Sequence, residues 1–246
     1  MAKQRFFNLL LDISTTVEAL EECEVILNGD VCSSLFFVNA HCFNIAQKDQ
    51  QYTDILNSAD LVYNDGSGIK IGSWFAGVKM LDNLNGTDLI PKLISLCKRT
   101  DKKVFLLGTL DERLEKAKEN IKANNPGVKI VGTNNGFFTS DEEDDIIQKI
   151  NNSNADMLIV GMGVPYQEKW VDSVKSKFDS VKLVVAGGAV IDFMSGSFKR
   201  APKWMQKLGI EWIYRLLQEP GRLMKRYMLG NFTYLWHVLR LSFNRK

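Results

Sequence analysis

Four short stretches, each directly after an apolar run, gather the polar residues of this chain that could do chemistry. In open parallel sheets ligands bind beyond the carboxyl ends of the strands, so such positions carry the most functional weight. VNAHC presents Asn39 and His41. An asparagine donates and accepts, which suits a sugar or nucleotide edge and equally a satisfied turn. The solitary His41 reads as structural. LVYNDGSGIKIG presents Asp65, Gly66, Ser67 and Gly68 ahead of a helix. A carboxylate there can orient a hydroxyl and take its proton during attack, although Asp-Gly is also ordinary turn chemistry. In LIVGMGVPYQEKW, Gly161 and Gly163 follow a strand and Pro165 opens a helix, so backbone N–H groups could face a phosphate. Gln167 and Glu168 in the first turn could reach the same cleft or lie in a solvated turn. LVVAGGAVIDFMSG places Gly187 and Gly188 after a strand and Asp192 among apolar neighbours, where it must be hydrogen-bonded to protein or to ligand.

Several chemistries are excluded by what these stretches lack. No GxxxxGK[ST] phosphate loop is present, and Tyr166 stands where a dinucleotide fingerprint needs its third glycine, which demotes hydride transfer. With only His41 and His237 and no GxSxG, a Ser-His-Asp hydrolase is disfavoured. No DxD occurs, so a carboxylate site for a sugar-nucleotide metal is not expected, nor is any cofactor. The acidic run at 141–145 reads as first-turn residues that complement a helix dipole. Cys23, Cys32, Cys42 and Cys97 form no CxxC pair and read as buried reduced thiols, which suits the cytosol. The N-terminal apolar stretch is too short for a signal peptide, and no run reaches the ~18 apolar residues of a membrane span. A location on the cytoplasmic side is expected.

The elements that must position these residues follow from hydropathy. Short apolar runs at 6–11, 35–39, 59–63, 104–108, 128–132, 157–161 and 182–186 predict strands. They alternate with helical patterns at 15–27, 45–57, 88–100, 111–124, 140–151 and 165–178. Strands that are apolar throughout are covered on both faces, so the expected fold is α/β: a Rossmann-like, open, mostly parallel sheet flanked by helices.

Charge divides the 246 residues unevenly. The formal net charge is +2, yet residues 199–246 hold 11 of the 31 Lys and Arg and only two of the 29 Asp and Glu. That segment is therefore +9 and the remainder −7. Three of the five tryptophans, Trp204, Trp212 and Trp236, are interleaved with the cations, and Pro202, Pro220 and Gly230 are expected to divide the segment into short helices. Such a composition fits an interfacial membrane segment, or aromatics packed on the domain beneath a solvated face. The expected organisation is a catalytic domain over 1–197 and a basic, Trp-rich helical appendage over 198–246 for membrane docking and active-site closure.

Taken together, ADLVYNDGSGIKIG, GTDLIPKLI, VFLLG, GMGVPYQEKW and the run from DFMSGSFKRAPKW to RLLQEPGRLMKRY resemble the WecG/TagA/CpsF family of bacterial glycosyltransferases over about residues 5–235. The resemblance implies an inverting, metal-independent transfer of an N-acetylmannosamine-type sugar from a UDP donor to undecaprenyl-diphosphate-linked N-acetylglucosamine, a step in teichoic acid or related surface polysaccharide synthesis. It puts Asp65 at the general-base position, Asn39 near the sugar and Gln167 in the nucleotide pocket. Arg215 and Arg222 match arginines thought to close over the diphosphate, with Lys225 at a third such position, followed by Arg226. Gly66, Gly161, Gly163, Asp192 and Arg200 complete the expected substrate contacts. Two positions depart from the family pattern: Phe37 replaces a threonine and Asn83 a frequent arginine. The implied partners are the UDP-sugar, the lipid-linked acceptor and the inner face of the cell membrane, with no nucleic acid; a homo-oligomer is left open. The competing class is a non-catalytic nucleotide-binding module whose basic tail holds nucleic acid, although that tail carries no recognisable nucleic-acid motif.

Overall fold

The computed structural model of the chain describes residues 3–243, apart from the side chains of Lys207, Arg222, Lys225 and Arg226. The chain enters through β1 (Lys3–Phe6) and β2 (Leu9–Asp12), an antiparallel hairpin pairing Phe6 with Leu9. The single strand expected over 6–11 is divided because Phe7 adopts a left-handed conformation, φ 56°. There follow α1 (Thr16–Leu27), β3 (Ser33–Val38), α2 (Ala40–Ala46), α3 (Gln50–Ser58), β4 (Leu61–Asn64), α4 (Ser67–Ala76) and α5 (Gly86–Arg99). The second half comprises β5 (Lys103–Gly108), α6 (Asp111–Asn124), β6 (Lys129–Asn134), α7 (Glu143–Asn152), β7 (Met157–Gly161), α8 (Tyr166–Val174), β8 (Leu183–Ala186) and α9 (Val190–Met194). The appendage is α10 (Lys203–Lys207), α11 (Glu211–Gln218) and α12 (Pro220–Phe243).

The large sheet is parallel throughout, in the order β4-β3-β8-β7-β5-β6. The chain lays down β3 and β4, crosses to β5 and β6, then returns through β7 so that its last strand, β8, closes the gap beside β3. Residues far apart in sequence thus meet along one carboxyl edge of the sheet. Alternate residues of each strand feed two cores: Phe36 and Val38, with Leu158 and Val160, face the side of α2, α3 and α8, while Leu35 and Phe37, with Met157 and Ile159, face α1, α5 and α6. Both faces are covered, which is why the strands lack a polar alternation.

Local capping explains where the helices depart from expectation. The helix expected over 45–57 is two helices, because Asp49 accepts from the Tyr52 N–H at 3.0 Å as the cap of α3 and is held by Lys169 Nζ at 2.7 Å. The acidic run at 141–145 follows a Thr139 cap whose N–H and hydroxyl donate to Glu142 at 2.8 and 3.0 Å.

Gly230 does not interrupt α12. One glycine costs a helix about 1 kcal/mol, and packing against the domain outweighs that. Tyr234 and Val238 are buried, Tyr234 donates to the Gly68 carbonyl at 2.8 Å, and Asn44 Nδ2 donates to the Gly230 carbonyl at 2.7 Å. Ser67 Oγ donates to the Gly209 carbonyl at 2.8 Å and ties α4 to the α10–α11 turn. Helix α12 approaches α4 so closely that a Cβ on Gly72 would lie 2.1 Å from the Tyr234 hydroxyl and 2.9 Å from the Phe6 ring. Gly72→Ala is therefore expected to destabilise the fold by about 1–3 kcal/mol and to speed proteolysis within 198–246, readable by denaturant unfolding and limited digestion. Among the described residues no helix is long and apolar enough to cross a membrane.

Candidate active site

A cleft opens at the carboxyl edge of β3, β4, β7 and β8. On its β3–β4 side, Asn39 caps α2, its Oδ1 accepting from the N–H groups of His41 and Cys42 at 3.0 and 3.1 Å. That fixes the amide, and Nδ2 donates to Asp65 Oδ2 at 3.2 Å. The Asp65 N–H in turn donates to the Val38 carbonyl at 2.8 Å, continuing the strand pairing by one residue. Both side chains line the cleft. The two residues expected to work together are brought together because β3 and β4 are adjacent. Asn83 accepts from the Gly66 N–H at 2.8 Å, so this departure from the family pattern buttresses the turn after Asp65. Phe37 lies in the cleft floor, 6% exposed.

On the β7–β8 side the backbone donors have a different use from the one expected. Gln167 is buried, and its Oε1 accepts from the Gly163 N–H and the Gly188 N–H at 3.1 Å each. The Gly163 N–H is thus engaged by protein, a correction to the expectation that it faces a phosphate. Gly161 acts through close packing: a Cβ there would lie 2.7 Å from the Gly188 carbonyl oxygen. The N-terminus of α5 lines the cleft through Gly86 and Thr87, alongside the starts of α2 and α9. Its signal was the Asn85 cap with Asp88 in the first turn, whose N–H donates to Asn85 Oδ1 at 2.9 Å.

Glu168 is fully buried rather than solvated, and burial pushes its carboxyl up to about 7 against the opposing pull of the Gln167 hydrogen bond. The folded chain therefore holds this proton at pH values where the unfolded chain, titrating near 4.5, has released it. The resulting stability cost grows as pH rises from about 4.5 to about 7 and stays constant above. Glu168→Gln should consequently unfold at higher denaturant concentration than wild type at pH 8.5, by on the order of 3 kcal/mol, with a difference of about 1 kcal/mol or less at pH 5.

The segment after α9 reaches the cleft through α11. Arg215 on α11 lines it, with its guanidinium 4.9 Å from the Phe193 ring centroid. Arg200 bridges Asp88 of α5 and Glu211 of α11. It latches the appendage to the domain, where a substrate contact was expected. Asp192 accepts from Thr109 Oγ1 at 2.5 Å and Arg113 at 3.0 Å, so its partners are protein groups. Neither Phe193 nor Arg113 had a sequence signal, one lying in an apolar run and the other on an amphipathic helix. Arg222, Lys225 and Arg226 fall on α12, but their side chains lie outside the described residues. Among the described residues no cluster of three or more His, Cys, Asp or Glu could hold a metal ion.

The chain is similar in sequence to known proteins. The model of the Glycosyl transferase WecG/TagA/CpsF family matches residues 4–246. The chain belongs to that family. Its glycosyltransferase relatives include the N-acetylglucosaminyldiphosphoundecaprenol N-acetyl-beta-D-mannosaminyltransferase of Bacillus subtilis (strain 168), 31% identical over 209 residues, covering 85% of this chain and 80% of the relative. Proteins of the same name from Staphylococcus aureus strains MW2 and NCTC 8325 are 27% identical over 235 residues, covering 95% of this chain and 91% of each relative. The match takes in residues 198–246 as well as the α/β sheet and its helices.

Proposed function

We propose that this glycosyltransferase moves an N-acetylmannosamine-type sugar from a UDP donor to undecaprenyl-diphosphate-linked N-acetylglucosamine, with inversion and without a metal ion, at the inner face of the cell membrane. The observation that carries this reading is the placing of a carboxylate and a guanidinium, Asp65 and Arg215, on the same cleft. The names of the relatives supply the sugar and the acceptor.

The chemistry follows from what each group can do. Asp65, oriented by Asn39, accepts the proton of the acceptor hydroxyl as its oxygen attacks the anomeric carbon. The bond to the donor diphosphate breaks in the same displacement, which inverts the centre. Negative charge then grows on the leaving diphosphate, where Arg215 and the first turn of α5 are suitably placed donors. The basic segment supplies further cations, with Arg222, Lys225 and Arg226 proposed to join them. Residues 1–197 hold the reacting groups in this account, and residues 198–246 both cover the cleft and dock the enzyme.

Docking is supported by the outer face of α12. Opposite the buried Tyr234 and Val238, Met224, Met228, Phe232, Leu235, Trp236 and Leu239 are all exposed. Trp74 and Phe75 of the adjoining α4 are exposed as well, 72% and 44%. An apolar helix face that carries Arg240, on a segment of net charge +9, suits an anionic lipid surface, each well-placed Lys or Arg adding about 1 kcal/mol. The paired change Phe232→Glu with Trp236→Glu is expected to cut co-sedimentation with phosphatidylglycerol vesicles by roughly tenfold or more, with the circular dichroism spectrum unchanged.

Donor choice and metal need are tested together by offering a panel of UDP-sugars with a lipid-diphosphate-GlcNAc analogue, with and without EDTA. The expected result is preferential use of UDP-N-acetylmannosamine at equal rates in both conditions. Activity confined to added divalent metal would overturn the metal-free part of the proposal.

A further inference from the structure

The floor of the cleft is built from two glycine turns, one after β7 and one after β8, and a single side chain spans them. Gln167 Oε1 accepts from Gly163 and Gly188 at 3.1 Å each. An amide has one accepting end and one donating end. The clamp therefore works in one orientation, with Nε2 turned away from both glycines. There Nε2 donates to Glu168 Oε1 at 2.8 Å. Rotating the amide by half a turn would point its NH₂ at two N–H donors and leave two partly buried hydrogen bonds unmade.

Glu168 is an unusual residue to bury for packing alone. It is 0% exposed, and its second oxygen, Oε2, has no hydrogen-bond partner among the described residues. A buried carboxyl that uses half of its hydrogen-bonding capacity is costly, and a leucine of similar volume would avoid that cost. The apolar packing of α8 is already supplied by Trp170, Val171 and Val174. What a leucine could not do is accept from Gln167.

We propose that Glu168 is a positioning residue, which fixes the amide orientation of Gln167 and through it the spacing of the Gly163 and Gly188 turns against which the substrate sits. It touches neither substrate nor reacting atoms; Gln167 and the two glycines line the cleft, and Glu168 stands behind them. The catalytic consequence rests on the proposed transferase reading, whereas the structural consequence does not.

The test compares Glu168→Leu with Glu168→Gln in the full chain, reading amide hydrogen exchange at Gly163 and Gly188 by NMR alongside donor KM and thermal midpoint. Glu168→Leu should speed exchange at both glycines roughly tenfold or more and raise donor KM roughly tenfold, without lowering the thermal midpoint. Glu168→Gln keeps an accepting oxygen and should restore protection at both positions. Should the leucine variant not fold, Glu168→Met makes the same comparison with a more adaptable side chain. Unchanged protection at both glycines in the apolar variant would overturn the positioning role, as would loss of protection spread evenly over α8. Selective loss at the two glycines, in a protein that transfers no sugar from any donor, would instead overturn the proposed function and leave the positioning role standing.

Discussion

Asp65→Asn should lower kcat for sugar transfer by about 10³-fold while the affinity for UDP stays within about threefold of wild type. The asparagine preserves the size of the side chain and its hydrogen bond with Asn39, for which Asp65 Oδ2 is the acceptor at 3.2 Å. It removes only the ability to take a proton. A loss confined to kcat identifies a group whose contribution arises in the transition state, whereas a rise in KM would point to ground-state binding. Asn39→Ala should have a smaller effect on kcat, because it leaves the base in place and removes the amide that orients it. Isothermal calorimetry with UDP, beside initial rates at saturating donor, separates these outcomes. Turnover of Asp65→Asn within a few-fold of wild type would remove Asp65 from the base role.

The second large effect is expected at the opposite wall. Arg215→Ala should lower kcat/KM by about 10²-fold, the usual consequence of deleting one donor to a developing anion. The guanidinium carbon lies over the Phe193 ring, 4.9 Å from its centroid, and a lysine has neither the planar face nor the forked donors of an arginine. Arg215→Lys should therefore recover only part of the loss. Because the arginine acts on the leaving group, the deficit should shrink when the donor carries a better leaving group than a nucleoside diphosphate. An equal deficit for every leaving group would assign Arg215 to binding alone. Arg200, which joins Asp88 to Glu211, positions the helix that delivers Arg215, so its loss should be felt through the same leaving-group dependence.

The sheet was legible because burial on both faces leaves an unmistakable trace: β7 and α6 fall where the apolar and amphipathic patterns put them, and β3, β5 and β8 lie within one or two residues. Features that depended on distant partners were not legible. The break between α2 and α3 turns on Asp49, whose partner Lys169 lies on another helix. The uninterrupted course of α12 through Gly230 depends on packing against α2 and α4, which no local propensity records. In the site, Asn39 and Asp65 stood out as strand-end residues, but their contact needed the pairing of β3 with β4. The Gly163 amide meets Gln167 within one turn of chain, but the second donor to that oxygen, Gly188, follows the next strand and left no spacing to read. Asp192 was read as needing a partner, and the structure supplies Thr109 and Arg113 from the β5–α6 junction. Long-range ion pairs such as these, and the Arg200 latch, leave no spacing for a sequence to display.

The last segment, of net charge +9, has two proposed roles, docking to lipid and neutralising the leaving diphosphate, and they draw on different residues. Arg200 and Arg215 face the domain, where they hold the appendage down and reach the cleft. The exposed face of α12 is chiefly apolar among its described residues. Membrane affinity and leaving-group neutralisation should therefore be separable by mutation: the Phe232 and Trp236 changes act on vesicle binding, and Arg215 acts on transfer to a soluble acceptor analogue.

The central claim, a single displacement driven by Asp65 without a metal, is tested most directly by the anomeric configuration of the product formed in EDTA. With UDP-α-N-acetylmannosamine and a lipid-diphosphate-GlcNAc analogue, the expected product by NMR is a β-linked disaccharide, formed at the same rate with or without EDTA and lost in Asp65→Asn. An α-linked product, or transfer that stops when EDTA is added, would contradict it.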